Sequence, residues 1–71
     1  MRVNYKAYII DAYERETDRW RAAISRQDGA KIRVVAPFPA DHLQVVTSAD
    51  TLTSQEAVNL AKLRIDNGGM I

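Results

Sequence analysis

The chain has 71 residues, with ten Lys plus Arg against nine Asp plus Glu, one His and no Cys, for a formal net charge of +1. That length allows one domain, residues 1–71, whose core is only just large enough to stand alone. Disulfides and thiolate metal sites are excluded, His42 cannot anchor a metal site by itself, and the near-neutral charge offers little overall pull toward nucleic acid or an anionic membrane.

Oligomerisation is the remaining support for so small a core. No apolar run is long enough to span a bilayer, and the opening MRVNYK lacks the apolar core of a secretory signal, so the expected setting is cytoplasmic with no membrane partner.

Residues 3 to 14, VNYKAYIIDAYE, are rich in Tyr, Ile and Val, which suit a strand. Tyr13, Thr17, Trp20 and Ile24 also follow helical spacing, so periodicity leaves a helix from Asp11 to Gln27 as the rival. Two strands account better for the polar Glu16-Thr17-Asp18 turn and for Trp20-Ala22-Ile24 alternating with Arg19-Arg21-Ala23-Ser25. Trp20 then belongs to the core, because a lone Trp on an alternating strand supplies much of the buried area a small domain needs. Asp28-Gly29, between alternating runs, predicts a β-hairpin with a tight primed turn, whose positive φ angles Gly adopts without steric cost. The third strand carries Ile32, Val34 and Ala36 on one side and Lys31, Arg33 and Val35 on the other, until Pro37-Phe38-Pro39 ends the ladder.

His42 to Thr47, HLQVVT, predicts a short fourth strand. Thr53-Ser54-Gln55-Glu56 matches a capping box, in which the Thr hydroxyl accepts from the Glu56 amide and the Glu carboxylate reaches back to the Thr53 amide. A helix starts there, with Ala57, Val58, Leu60, Ala61 and Ile65 as its apolar stripe and Gln55, Asn59, Lys62 and Asp66 facing away. Asn67-Gly68-Gly69 ends it, because Gly takes the left-handed conformation after the last turn. Met70 and Ile71 form an apolar tail, either a frayed end or a segment packed across a partner. The predicted fold is α+β: an antiparallel sheet of three or four strands with one C-terminal helix packed on one face.

One sheet face is then left over. With Tyr5, Ala7, Ile9 and Tyr13 turned to the helix, the open face carries Lys6, Tyr8, Ile10 and Ala12 beside Arg19, Arg21, Arg33 and Val35. Aromatic and Arg side chains mixed on an open sheet suit stacking of single-stranded bases and tracking of phosphate, and the same mixture suits a dimer interface. Reversed parity buries Tyr8 and Ile10, exposes Asp11 and dissolves the patch. Residues 15 to 33 carry six bases against three acids, whereas residues 34 to 61 hold Asp41, Asp50 and Glu56 with no base. That asymmetry fits a basic hairpin facing phosphate, a protein contact, or the charged strand edges that discourage unwanted pairing.

Catalytic chemistry finds no foothold. Asp11, Glu14, Glu16 and Asp18 cluster in sequence, but Arg15 and Arg19 stand ready to pair with them and their spacing fits no calcium loop. Asp41-His42 has no serine placed by a nucleophile motif, and Gly29, Gly68 and Gly69 fit no phosphate-cradling fingerprint. No catalytic residue, cofactor or metal ligand is assigned.

On the Tyr-bearing hairpin with Trp20 and Asp28-Gly29, followed by TSQEAVNLAKLRID at Thr53 to Asp66, the chain resembles small bacterial βββα domains of unassigned function and, more distantly, HicB-type antitoxins. In that family a three-stranded sheet precedes a helix opening with Thr-x-x-Glu-Ala, here Thr53, Glu56 and Ala57. The resemblance implies toxin masking by protein contact. Nothing here matches the DNA-binding segment that follows this core in such antitoxins, so DNA binding is not carried over. Double-stranded RNA-binding domains are similar in topology only, since Ser54-Gln55-Glu56 stands where lysines should meet phosphate.

The expected function is a non-enzymatic protein-interaction or regulatory module, homodimeric or bound to another protein, using Lys6, Tyr8, Ile10, Arg19, Arg21, Arg33 and Val35. The alternative is nucleic-acid binding through the same face.

Overall fold

A computed structural model describes residues 1–35, 39–68 and 70. Four strands form one antiparallel sheet: β1 (Arg2–Tyr5), β2 (Tyr8–Glu16), β3 (Arg19–Arg26) and, joining later in the chain, β6 (Val46–Thr47), in the order β1-β2-β3-β6. β4 (Ile32–Val34) and β5 (Ala40–Leu43) pair as a separate two-stranded sheet, and α1 (Ser54–Asp66) lies against β2 and β3. The fold is therefore α+β, with a four-stranded antiparallel sheet and a single C-terminal helix on one of its faces.

Two short turns build the meander. Residues 3 to 14 are not one strand, because Lys6 takes φ +54° and reverses the chain so that Tyr5 opposes Tyr8. The left-handed region is costly for Lys, and this turn is pinned from outside: the Lys6 ammonium and the Tyr5 hydroxyl both donate to Asp66 at the end of α1. Thr17 and Asp18 make the second reversal, with Asp18 at φ +59°, a conformation Asp tolerates better than most residues. The helical alternative for residues 11 to 27 is thereby excluded.

Parity decides the core. From Tyr8 to Glu14 the residue numbers paired between β2 and β3 keep an even sum, Tyr8 with Arg26, Ile10 with Ile24, Ala12 with Ala22 and Glu14 with Trp20, so even positions share one face; a bulge between Glu14 and Glu16 shifts the register before the turn, where Glu16 meets Arg19. Ile10, Ala12, Ala22 and Ile24 are buried beneath Ala57, Val58 and Ala61 of the helix, and Val46 of β6 opposes Ile24 on the same side. The apolar helix stripe follows the sequence pattern, with Leu60 and Ile65 half-buried at its margin and Leu63 turned outward. Trp20 is half-buried and packs against this cluster rather than inside it.

Asp28-Gly29 is a turn but not a hairpin. Gly29 takes φ +77°, and Asp28 accepts from the Ala30 amide and from Arg26, yet β4 does not return along β3. The reason is topological: β2 and β6 already occupy both edges of β3, leaving no ladder for β4 to join. Ile32 and Val34 are buried instead through β5 and Met70, whose backbone bridges Val34. Met70 thus packs into its own chain's core, neither frayed nor reaching for a partner. The single fourth strand expected from His42 to Thr47 is split, His42 and Leu43 belonging to β5 and Val46 and Thr47 to β6. The ladder stop at Pro37-Phe38 and the positions of Ala36, Gly69 and Ile71 lie outside the described residues.

Helix α1 begins as the capping pattern requires: the Thr53 hydroxyl accepts from the Glu56 amide at 3.1 Å. It ends at Asn67, whose amide donates to the Leu63 carbonyl, and Gly68 follows at φ +72°. Among the described residues, no helix is long and apolar enough to cross a membrane.

Candidate functional site

With the even positions of β2 and β3 turned to the helix, the uncovered face carries their odd positions and, because β1 pairs with β2 at an odd sum, the even positions of β1. Reading across the strands, one row is Asn4, Ile9 and Ser25; the next is Arg2, Asp11, Ala23 and Thr47; the third is Tyr13 and Arg21. Ile9, Asp11, Ala23 and Ser25 are half-buried, and Tyr13 is 40% exposed. The centre of the face is therefore Ala23 on β3 with Asp11 directly opposite it on β2, and Ile9, Ser25, Tyr13 and Arg21 in the rows on either side.

Asp50 reaches this face through a bulge. Thr47 opposes Ala23, and the Ser48 amide donates to the Ala22 carbonyl in step with it, but Thr51 next exchanges both backbone bonds with Trp20. Two residues, Ala49 and Asp50, consequently stand opposite the single Arg21, and such an extra residue re-aims side chains at a sheet edge. The bulge takes away the backbone acceptor of the Ala22 amide, and the buried Ser48 hydroxyl accepts that hydrogen bond at 2.9 Å instead.

Three arginines converge on the re-aimed carboxylate. Arg21 Nε donates to Asp50 Oδ1 at 2.7 Å, Arg15 Nη1 to Oδ2 at 3.0 Å, and Arg19 Nη1 stands 3.8 Å from Oδ2. The Arg21 hydrogen bond, reinforced by the charges of Arg21, Arg15 and Arg19, holds the Asp50 carboxyl below its ordinary range. The same bond raises Arg21. Arg19 also lies 3.6 Å from Glu16, and in the central row Arg2 on the edge strand bonds Asp11, the cross-strand neighbour of Ala23, at 3.1 Å. The ionic groups of this surface are paired with one another, and no side-chain polar atom buried among the described residues lacks a partner.

The residues named from sequence are not brought together. Tyr8 is 9% exposed and Ile10 fully buried, both under the helix, so neither belongs to the open face. Lys6 is in the β1–β2 turn on Asp66, and Arg33 and Val35 are exposed on and just after β4, in the other sheet. Of the seven, Arg21 lies on the open face, in the row beside its centre, with Arg19 at the margin. Ile9, Asp11, Tyr13, Ala23, Ser25 and Asp50 replace the others. The Thr17-Asp18 turn by itself pairs Glu16 with Arg19 and would oppose even to odd; the bulge between Glu14 and Glu16 shifts the register by one, so that Glu14 faces Trp20 and Tyr8, Ile10 and Ala12 join Ala22 and Ile24 in the core, and no local pattern in the sequence marked that bulge.

The remaining chemistry is sparse. A groove of about 510 Å³ lies between the β2–β3 turn and the helix start, lined by Thr17, Asp18, Arg19, Asp50, Thr51, Leu52 and Glu56. None of its hydroxyls faces an imidazole, because His42 is 85% exposed on β5 beside Asp41. Among the described residues, no three His, Cys, Asp or Glu side chains are placed to share a metal ion. Comparison with protein-family models, curated proteins and solved structures finds no match to this chain.

Proposed function

We propose that this chain is a non-enzymatic protein-interaction module that works as a homodimer, with the open face of the β1-β2-β3-β6 sheet as its contact. The observation that carries the reading is the helix on one sheet face only, opposite a face where Ile9, Tyr13, Ala23 and Ser25 stand among charges paired within the chain. Arg2 and Arg21 are matched on that face by Asp11 and Asp50. A second copy therefore meets no net repulsion, while a polyanion meets no net attraction. Nucleic-acid binding through Tyr13 and the three arginines has less support, because Asp50 and Glu16 already pair with those arginines. Masking of another protein, as the likeness to HicB-type antitoxins would imply, uses the same kind of contact and is compatible with exchange of the second copy for a different partner.

The test is solution mass by light scattering across a concentration series at low and moderate salt, on the native chain and on Ala23→Lys. Residue 23 lies at the centre of the face and outside the core, so the lysine should lower the association at least tenfold while the far-UV spectrum stays native. A native chain that remains monomeric at every concentration sinks the proposal. Steeply salt-sensitive binding of single-stranded nucleic acid by that monomer would put the alternative in its place.

A further inference from the structure

We infer that Asn67-Gly68 is a self-modification site, where the Gly68 amide nitrogen attacks the Asn67 side chain and converts it to an isoaspartyl or aspartyl residue. The pair stands at the C-terminal end of α1, and both residues are exposed. Gly68 has no side chain to block the approach of its nitrogen, unlike Tyr5 and Leu60, which follow the other two asparagines, Asn4 and Asn59. Asn59 is further held within the helix by Gln55, whose amide donates to it at 3.0 Å. The related pair Asp28-Gly29 is locked, because Arg26 donates to both carboxylate oxygens of Asp28 and the Ala30 amide donates to one of them.

Asn67 has ψ 0°, and attack needs the peptide to swing until the Gly68 nitrogen lies beside Cγ. What resists the swing is the long hydrogen bond from the Gly68 amide to the Ile65 carbonyl, 3.3 Å, in a last turn that frays at low cost. The nitrogen gives up its proton to solvent and bonds Cγ; the Cγ–Nδ2 bond breaks and ammonia leaves with a proton taken back. Water then opens the resulting succinimide ring, so one water enters and one ammonia departs, with no oxidant or reductant. Where water cleaves at the main-chain carbonyl, the backbone thereafter runs through Cβ and Cγ, one carbon longer.

That extra carbon falls between α1 and Met70, whose buried side chain and bridge to Val34 hold down β4. Both products also put a carboxylate at the helix C-terminus, where the dipole disfavours it, next to the Asp66 carboxylate that fastens Tyr5 and Lys6. The modified chain therefore loosens the small sheet while β2 and β3 keep their ladder.

The native chain would be held in warm, mildly alkaline buffer and followed by intact mass, with peptide fragmentation to place the change and amide exchange to read its effect. The expected result is a gain of one mass unit at Asn67 before any change at Asn4, Asn59 or Asp28, with isoaspartyl the larger product. Exchange in β4 and β5 should then be at least tenfold faster in the aged chain than in Asn67→Asp, which adds the charge without the extra carbon. A native chain unchanged at Asn67 over a time in which the urea-unfolded chain reacts overturns the site, because the helix end then shields it. Equal exchange in the aged chain and in Asn67→Asp overturns its coupling to Met70 and β4.

Discussion

Ser48 is a small residue with a large structural duty. It is buried at the point where β6 bulges, and its hydroxyl takes the place of the backbone acceptor that the Ala22 amide loses. Ser48→Ala leaves that amide buried and unpaired, a loss of about 1–3 kcal/mol, measurable by urea denaturation. Trp20→Ala should cost about 2 kcal/mol, below the range for a fully buried Trp, because the ring flanks the core rather than filling it. Acid reports on the Arg26–Asp28 pair. Arg26 and the Ala30 amide bond the Asp28 carboxylate and lower it from 3.8 to about 2. A depressed carboxyl stabilises the folded state fully above its unfolded value, so this contribution is present above about pH 4 and lost as pH falls toward 2. Asp28→Asn should therefore lose less melting temperature than the native chain between pH 5 and pH 2.5; an identical loss would remove Asp28 from the account.

At the level of elements, the local patterns were legible and the pairings were not. The Thr53 N-cap, the apolar stripe of α1 and the alternation of Trp20, Ala22 and Ile24 are properties of adjacent residues, and each appears in the structure, although of the expected capping box only the bond from the Glu56 amide to the Thr53 hydroxyl is formed. Asp28-Gly29 is equally local and does form a turn, but which strand lies beside which depends on the whole chain. The arrival of β6 at β3 from twenty residues away displaces β4 into a second sheet. The bulge that carries Asp50 to Arg21 is equally invisible in sequence, because nothing local distinguishes Ala49-Asp50 from an ordinary strand end. Met70 shows how late that second sheet is secured. Its side chain is 6% exposed and its backbone bridges Val34, so the residue after the helix holds down the strand before it. Met70→Ala should cost about 2–4 kcal/mol and, more tellingly, release amide exchange in β4 and β5 before β2 and β3.

For the whole molecule, the open face sets both the reason for association and its strength. The buried hydrophobic residues among those described lie on the helix side of the large sheet or under the small one, so a second copy would give the large sheet the layer it lacks. Four strands span roughly 19 Å, and the rows of the face extend over some 25 Å, a footprint near 450 Å² per copy. That is about a tenth of the 4489 Å² exposed by the chain. Two such footprints, about 900 Å² together, fall below the standard range of specific interfaces and match weak, transient association. Average mass should accordingly rise between about 1 and 100 μM rather than stay fixed. Salt should move it little, because Arg2–Asp11 and Arg21–Asp50 form within each copy and are present before the copies meet. An association that collapses between low and moderate salt would mean that the ion pairs exchange across the contact, and would shift its centre from Ala23 to the arginines around Asp50.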